Sequence, residues 1–249
     1  MRRTIILGAL VLATLGGAAS AAGAADKVPL AAKLATCTTG ADPAQRAATF
    51  SASMPALDPA GRMLIRFRLW QRRGATGTFK AVDVPGWGGW ERSEPGRPGF
   101  IFSKRIDSLV APAGYRAVVT FRWLDRKGAV QRTRTRTTPI CEQPDPRPDL
   151  LLASFAATPQ GTGDAVYDVG VRNDGRSQAG AFTVVLTIDG RTAPPITFEP
   201  LAPGVTQNGQ VVAPRCTPRS MVTIKVDPSN AVDEADETDS VVQQLCPLG

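Results

Sequence analysis

From residue 221 to residue 242 the chain reads Met-Val-Thr-Ile-Lys-Val-Asp-Pro-Ser-Asn-Ala-Val-Asp-Glu-Ala-Asp-Glu-Thr-Asp-Ser-Val-Val. Val222, Ile224 and Val226 alternate with polar residues, and this period of two predicts a half-buried strand. The Asp-Pro-Ser-Asn that follows predicts a turn, because proline fixes φ and Asp and Asn side chains bond to their own backbone. After the acidic run, Ser-Val-Val-Gln-Gln-Leu predicts a returning strand, so the segment is expected to form an antiparallel hairpin.

Two cysteines flank this predicted hairpin. Opposed residues of an antiparallel hairpin have residue numbers with a constant sum, and that sum is 462 both for Cys216 with Cys246 and for Ile224 with Thr238. The turn is then centred at position 231, and the two cysteines lie opposite each other at the open end. A disulfide fits there. The chain has four cysteines, so Cys37 and Cys141 are left as the second pair.

The turn pattern Val-Asp-Pro-x-Asn-x-Val-x-Glu-x-x-Glu-Thr-Asp resembles CARDB, the cell-adhesion-related domain found in bacteria, an immunoglobulin-like β-sandwich. Two further fragments resemble the same family: Pro148-Asp-Leu-Leu its opening strand, and Val169-Gly-Val-Arg-Asn-Asp-Gly with residues 180–190 its central strand pair. The likeness covers roughly residues 148–246. The family usually ends the turn with Asn-Glu-x-Asn-Asn, where this chain has Asp236-Glu-Thr-Asp-Ser. The resemblance implies the sandwich fold and, only loosely, adhesion.

Residues 1–25 are predicted to be a secretory signal, with two arginines, a short apolar core and small residues suited to cleavage. No other apolar run approaches the ~20 residues of a membrane helix. The protein is therefore predicted to be secreted or extracytoplasmic, associated with the cell envelope and without a membrane span. Four cysteines in an exported chain favour two disulfides. A four-cysteine metal site would need paired C-x-x-C spacing, which the sequence lacks.

The region before the CARDB-like part, residues 26–142, also has the pattern of a β-sandwich. Short apolar-alternating segments separated by Gly and Pro predict strands at 45–53, 63–69, 79–84, 100–106, 115–124 and 130–137. Tyr115 resembles the tyrosine corner of immunoglobulin-like domains. The predicted fold is all-β, with two Ig-like antiparallel β-sandwich domains in tandem. A proline-rich linker at 143–148 separates the first from the second, at 149–249.

The two predicted domains carry opposite charge. Residues 26–142 contain 20 Lys and Arg against 9 Asp and Glu, a net charge of +11. Residues 143–249 contain 7 against 13, a net charge of −6. A basic surface attracts anionic partners over a distance. Nucleic acid is not the predicted partner, because export separates the protein from it.

Arginines recur at alternate positions in three predicted strands of the basic region. Residues two apart in a strand share a face, and an Ig-like order makes these strands neighbours. Their arginines would then merge into one cationic face that attracts anions. Alternatively, the long stems cover apolar sheet surface and block edge pairing. The arginines predicted to bind a ligand are Arg66, Arg68, Arg122, Arg132, Arg134 and Arg136.

A glycine-rich loop, Pro85-Gly-Trp-Gly-Gly-Trp90, carries two tryptophans. Trp87 and Trp90 are candidate ligand-binding residues, because exposed indoles stack on sugar rings. The alternative is that the indoles pack over the sheet, since each would otherwise expose a large apolar area.

The acidic run between residues 227 and 239 has two interpretations. Its carboxylates are of the kind that bind calcium, but the run lacks EF-hand spacing and the central glycine. Alternatively, it is a solvated turn whose carboxylates cap a short helical turn near residues 231–235.

The chain contains no histidine, which excludes histidine bases, Ser-His and Cys-His nucleophile pairs and histidine metal ligands. No P-loop, dinucleotide fingerprint or nucleophile elbow is present, and no cofactor is predicted. The predicted function is a non-enzymatic binding or adhesion-type protein of the bacterial envelope. Its partner would be an anionic wall polymer or an envelope protein. The alternatives are a structural spacer or accessory subunit, and a hydrolase with an unrecognised carboxylate pair.

Overall fold

The computed structural model describes residues 28–57 and 61–248. The predicted signal segment lies outside these residues. The regular secondary structure of the described residues is strand throughout, except for one 3-10 turn at Pro43–Gln45. It forms two antiparallel β-sandwiches, here called the N-terminal and the C-terminal sandwich. The predicted all-β, tandem Ig-like fold is confirmed.

The N-terminal sandwich consists of two antiparallel sheets. Its strands are β1 (Ala31–Thr38), β2 (Ala47–Pro55), β3 (Arg62–Arg73), β4 (Lys80–Val82), β5 (Glu91–Arg92), β6 (Gly99–Asp107), β7 (Ala113–Leu124), β8 (Val130–Thr137) and β9 (Cys141–Gln143). One sheet has the order β1-β2-β6. The other has the order β4-β3-β7-β8, with β5 pairing to β3 and β9 to β7. All six predicted strands are present, with ends shifted by a few residues.

Alternating burial in β3 and β7 defines the core of this sandwich. Met63, Ile65, Phe67 and Leu69 point inward and are buried. They pack against the inward residues of β2 and β7 in one hydrophobic cluster. The residues between them face outward, so this sheet presents its second face to solvent.

Tyr115 has the geometry of a tyrosine corner. Its hydroxyl donates a 3.0 Å hydrogen bond to the carbonyl oxygen of Val110, five residues upstream. It also accepts a 3.0 Å bond from the Gln71 amide. In the tyrosine corner of Ig-like domains, the tyrosine hydroxyl bonds to the backbone a few residues upstream, and Tyr115 does the same.

The C-terminal sandwich has its own hydrophobic cluster, which runs from Leu150 to Cys246. Its strands are β10 (Leu150–Gln160), β11 (Asp164–Asn173), β12 (Phe182–Ile188), β13 (Arg191–Thr192), β14 (Ile196–Phe198), β15 (Thr206–Pro214), β16 (Met221–Val226) and β17 (Val241–Leu245). One sheet has the order β10-β11-β15. The facing sheet has the order β13-β12-β16-β17, with β14 pairing to β12.

Two disulfides are present, and they are the predicted pairs. Cys37 and Cys141 link β1 to β9 with a Cα–Cα distance of 5.5 Å. Cys216 and Cys246 flank the β16–β17 hairpin with a Cα–Cα distance of 5.8 Å.

The predicted register of that hairpin is wrong. Ile224 lies opposite Val242 rather than Thr238, so the second strand returns four residues later than expected. The acidic loop is longer because its carboxylates bond to backbone N–H groups and hold residues 227–240 in an irregular conformation. The cysteines still meet, because both lie outside the ladder.

The proline-rich stretch predicted to be the linker has contacts at both of its ends. Gln143, its predicted first residue, belongs to β9 and pairs with Ala113. At the other end, the carbonyl oxygen of Pro148 accepts a 2.8 Å bond from the Ala235 N–H, and Pro148 is buried. Residues at both ends of the proline-rich stretch are therefore bound to their neighbouring sandwich.

Candidate functional site: an arginine face on the N-terminal sandwich

The outward face of the β3–β7 sheet carries a cluster of arginines around two aromatic rings. Directly opposed residues of antiparallel strands share a face. Arg66 is opposite Thr120, Arg122 is opposite Leu64, and Arg116 is opposite Trp70. On the other side of β3, Arg92 of β5 is also opposite Leu64. We define the arginine face as Arg66, Arg68, Arg92, Arg116 and Arg122.

Two aromatic side chains contact three of the five guanidinium groups of this face. The Arg66 and Arg122 guanidinium carbons lie 4.6 and 4.5 Å from the centre of the Trp90 ring. The Arg116 guanidinium carbon lies 4.0 Å from the centre of the Phe79 ring. Such cation–π contacts contribute about 0.5–2 kcal/mol each, depending on desolvation. They orient the arginines without neutralising them.

The glycine-rich loop separates its two tryptophans onto opposite sides of β3. Gly88, at φ 81°, donates a 2.9 Å bond to the carbonyl oxygen of Phe67, so the loop runs along the edge of β3. Trp87 turns inward and makes edge contacts with Phe50 and Phe67, each with ring centres 6.1 Å apart. Of the two candidate tryptophans, Trp87 packs against the core, as the packing alternative expects, and Trp90 lies beside the arginines.

The prediction that the β8 arginines share a face with those of β3 and β7 is wrong. Arg134 lies opposite Phe121, and Arg136 lies opposite Val119, and both partners are buried core residues. Arg132 is opposite Trp123, with its guanidinium carbon 5.8 Å from the indole centre. The three β8 arginines therefore face the opposite side from Arg66, Arg68 and Arg122. They remain exposed, and every residue of β8 is exposed.

The arginine face has no acidic partner in the described part of the chain. None of its five arginines takes part in the ion pairs found there. The Nε atoms of Arg66, Arg116 and Arg122 are buried and make no hydrogen bond. Burial, followed by the positive charges of Arg68 and Arg122, lowers the pKa of Arg66 below its ordinary value. The arginine face therefore holds several positive charges close together, and no acidic side chain among the described residues neutralises them.

In the C-terminal sandwich, the three fragments that resemble CARDB meet at one corner, and Asn173 is at its centre. Its side-chain oxygen accepts bonds from the N–H groups of Asp149 and Gly175, at 3.1 and 3.0 Å. Its amide nitrogen donates to the carbonyl oxygens of Ser177 and Leu201, both at 2.9 Å. All four hydrogen-bonding positions of the buried amide are used, so this side chain is structural.

Gly175 allows the opening strand to pass close to this corner. A Cβ atom at this position would lie 2.5 Å from backbone atoms of Arg147, Pro148 and Asp149. Only glycine permits that approach. From the other side, the Glu234 carboxylate accepts a bond from the N–H of Leu150.

The acidic loop bonds mainly to its own backbone. Asp227 accepts a 2.8 Å bond from the Val232 N–H, and Glu237 accepts a 3.0 Å bond from the Glu234 N–H. Asp233 pairs with Arg147 at 2.6 Å. The helical turn of the second interpretation is not formed, because residues 231–235 have an irregular conformation. No group of three His, Cys, Asp or Glu side chains within residues 28–57 and 61–248 is arranged to hold a metal ion.

Three solved structures are among those to which the chain is similar. A domain from a Methanosarcina acetivorans protein, whose name assigns it to the cell surface, is 24% identical, covers 40% of this chain and 90% of its own, and has a TM-score of 0.35. Red sea bream transglutaminase is 9% identical over 88% of this chain, with a TM-score of 0.31, and this chain spans only 31% of it. The CsuC–CsuE chaperone–tip adhesion subunit complex of Acinetobacter baumannii is 12% identical over 86% of this chain and 97% of that chain, with a TM-score of 0.27.

None of the curated proteins compared with this chain matches it. Among the described segments, no helix has the length and hydrophobicity of a membrane span. The CARDB family model matches residues 147–244. The C-terminal part of this chain, with the corner at Asn173, is therefore a CARDB domain.

Proposed function

We propose that this protein is an exported, non-enzymatic, adhesion-type binding protein of the bacterial cell envelope, and that its arginine face binds an anionic polymer. The CARDB domain, the predicted signal segment and the two disulfides support this proposal. Disulfides persist mainly in oxidising, extracytoplasmic compartments. The absence of histidine from the sequence supports the non-enzymatic part.

The proposal includes a two-domain organisation. Each sandwich has a separate hydrophobic cluster and its own disulfide. We place the first domain from residue 26 to 143 and the second from 147 onward, because β9 and the Pro148 contact bind the ends of the proline-rich stretch.

The uncompensated charge of the arginine face is the observation that carries the binding proposal. Like charges held close together raise the free energy of the unbound protein, and an anion would relieve that repulsion. Guanidinium groups bind phosphate, sulfate and carboxylate through paired hydrogen bonds, and none of the five guanidinium groups of this face is occupied by an ion pair within the described residues.

A polymer suits this face better than a small anion. The arginines lie on three neighbouring strands, with a spacing of about 4.8 Å between strands and about 7 Å along each strand. One small anion spans only part of that area. A chain with repeated anionic groups can engage several arginines together, so weak individual contacts add.

Two matched triple variants test the proposal. Arg66→Gln, Arg68→Gln and Arg122→Gln remove three charges from the arginine face. Arg132→Gln, Arg134→Gln and Arg136→Gln remove three from the opposite side of the same sheet. Glutamine keeps much of the apolar stem, so the fold is retained. The ligands are immobilised polyphosphate and poly-glutamate, with neutral dextran as the control.

We expect the first triple to weaken polyanion binding by at least about tenfold, because charge-assisted hydrogen bonds are lost. The second triple should change binding by no more than about threefold, as expected for net charge acting over a distance. Equal losses in both would show that only net charge matters. No binding to either polyanion by the unmodified protein would overturn the proposal and favour the structural spacer.

A further inference from the structure

Two edge strands of this protein are built in contrasting ways. Directly after β8, Thr138 donates its N–H to the carbonyl oxygen of Ala117, so the even-numbered residues of β8 direct their backbone groups toward β7. The carbonyl groups of Thr133 and Thr135 therefore face the free edge. The guanidinium groups of Arg134 and Arg136 contact these oxygens at 3.3 and 3.4 Å. Charged side chains lying over the edge oppose the addition of another strand.

Strand β17 lacks such protection. Its sequence, Val241-Val-Gln-Gln-Leu245, contains no charged residue, and it ends its sheet in the described part of the chain. Cys246 donates its N–H to Ser220, and the carbonyl oxygen of Ser240 accepts from Val226. The backbone N–H and C=O groups of the even-numbered residues thus point toward β16. Those of Val241, Gln243 and Leu245 point toward the free edge.

We propose that this free edge pairs with β17 of a second copy, antiparallel, about a two-fold axis at Gln243. In that register Gln243 lies opposite its own copy, and Val241 lies opposite Leu245. These are the residues whose backbone groups face outward, so each pair can exchange both of its N–H···O=C bonds. A two-fold axis requires a self-complementary edge, and this strand meets that requirement.

The side chains agree with this register. Val241 is 56% exposed and Leu245 is 64% exposed, and both lie on the outward face of the sheet. Met221, opposite Leu245 and 45% exposed, extends the same apolar strip. Pairing would place Val241 beside the Leu245 side chain of the second copy and cover both. No like charges meet across the axis, whereas a similar pairing of β8 would oppose its arginines.

The acidic loops of the two copies do not meet in this contact. The acidic loop immediately precedes Val241, at one end of the strand. Antiparallel pairing places the two acidic loops at opposite ends of the paired strands. With only five residues per strand, the interface is smaller than that of a stable dimer, so association should be weak and concentration-dependent.

The test compares edge variants of the full exported chain by sedimentation equilibrium, up to about 1 mM. Gln243→Pro removes the central outward-facing N–H and leaves the bonds to β16. A Val241→Lys/Leu245→Lys variant and a Val241→Glu/Leu245→Glu variant each place like charges across the axis. Val212→Lys is the matched control, since Val212 is 51% exposed on a strand of the other sheet.

We expect the average mass of the unmodified protein and of Val212→Lys to rise with concentration toward twice the monomer value. Gln243→Pro and each doubly charged variant should stay monomeric. An equimolar mixture of the Lys and Glu variants should recover the dimer. Association that persists in Gln243→Pro, a monomeric unmodified protein, or a mixture that fails to pair would each overturn the proposal.

Discussion

The carboxylate of Glu234 accepts a hydrogen bond from the backbone N–H of Leu150, which precedes it by 84 residues. Glu234 is only 1% exposed, and its second oxygen, Oε1, makes no hydrogen bond. The bond fixes the acidic loop to the first residue of β10. It also places a carboxylate where ionisation is unfavourable, because water is excluded and the nearest charges are negative.

Ionisation of Glu234 should make the stability of the C-terminal sandwich depend on pH. Burial, together with the negative charges of Glu237, Asp227 and Asp239, raises its pKa from 4.5 to about 7. The folded state favours the protonated form, so its contribution is complete below pH 4.5 and is lost as pH rises through about 7. The loss should be about 1–3 kcal/mol by pH 8.

Glu234→Gln isolates this effect, because the amide oxygen can still accept from Leu150 and does not ionise. Between pH 5 and pH 8, the melting temperature of the C-terminal sandwich in the unmodified protein should fall relative to that of the variant. All four tryptophans, from Trp70 to Trp123, lie in the N-terminal sandwich. Calorimetry will therefore show the shift, while tryptophan fluorescence will not. Glu199→Gln, at an exposed site, is the control: it keeps Glu234 and should respond to pH as the unmodified protein does. A pH response in Glu199→Gln reduced as much as that of Glu234→Gln would contradict the assignment.

Asn173→Asp should destabilise the same sandwich. The amide nitrogen donates to the carbonyl oxygens of Ser177 and Leu201, and a carboxylate would oppose both. Leaving buried groups unpaired beside a charge costs about 2–4 kcal/mol. Chemical denaturation followed by circular dichroism measures the loss. Asn208→Asp makes the same change at an exposed position, and it should alter stability by no more than about 0.5 kcal/mol.

The two disulfides should stabilise their sandwiches separately. In the chain-entropy description, a separation of 104 residues for Cys37–Cys141 gives about 4.7 kcal/mol, and 30 residues for Cys216–Cys246 gives about 3.6 kcal/mol. Replacing the first pair by serine should lower the unfolding midpoint seen by tryptophan fluorescence. Replacing the second pair should leave that midpoint unchanged and shift only the calorimetric transition of the C-terminal sandwich. A fluorescence shift in the second variant would show that the sandwiches unfold together.

Sequence patterns predicted the parts of this molecule in which apolar residues mark the inward face. The alternation of Met63, Ile65 and Phe67 with arginines identified the outward side of β3. The sum of the residue numbers identified the Cys216–Cys246 disulfide, although the hairpin register was wrong. Cys37 and Cys141 then remained as the second pair. The resemblance fragments identified the CARDB domain, but their meeting at Asn173 depends on contacts between distant residues.

The side of β8 could not be predicted, because neither Arg nor Thr marks a buried position. Pairing with β7 determines it, and that pairing puts Arg134 opposite Phe121. Arg116 was predictable as an outward residue from its neighbour Tyr115, which is buried. Arg92 was not, because a two-residue strand has no detectable period. The different positions of Trp87 and Trp90 depend on the path of a glycine-rich loop, which periodicity does not describe.

The final prediction separates the two tryptophans by function. Trp87→Leu should destabilise the N-terminal sandwich by about 2–3 kcal/mol, because the half-buried indole packs against Phe50 and Phe67 at the edge of the core. Trp90→Leu should cost less than about 1.5 kcal/mol, since its ring lies on the outward face.

Polyanion binding should show the reverse order. Without the Trp90 ring, Arg66 and Arg122 lose the surface that orients them, and their added mobility must be restrained when a ligand binds. We expect Trp90→Leu to weaken polyphosphate binding several-fold, by about 0.5–1.5 kcal/mol. Trp87→Leu, measured well below its melting temperature, should bind as the unmodified protein does. Unchanged affinity in Trp90→Leu would show that the arginines are oriented by the sheet alone.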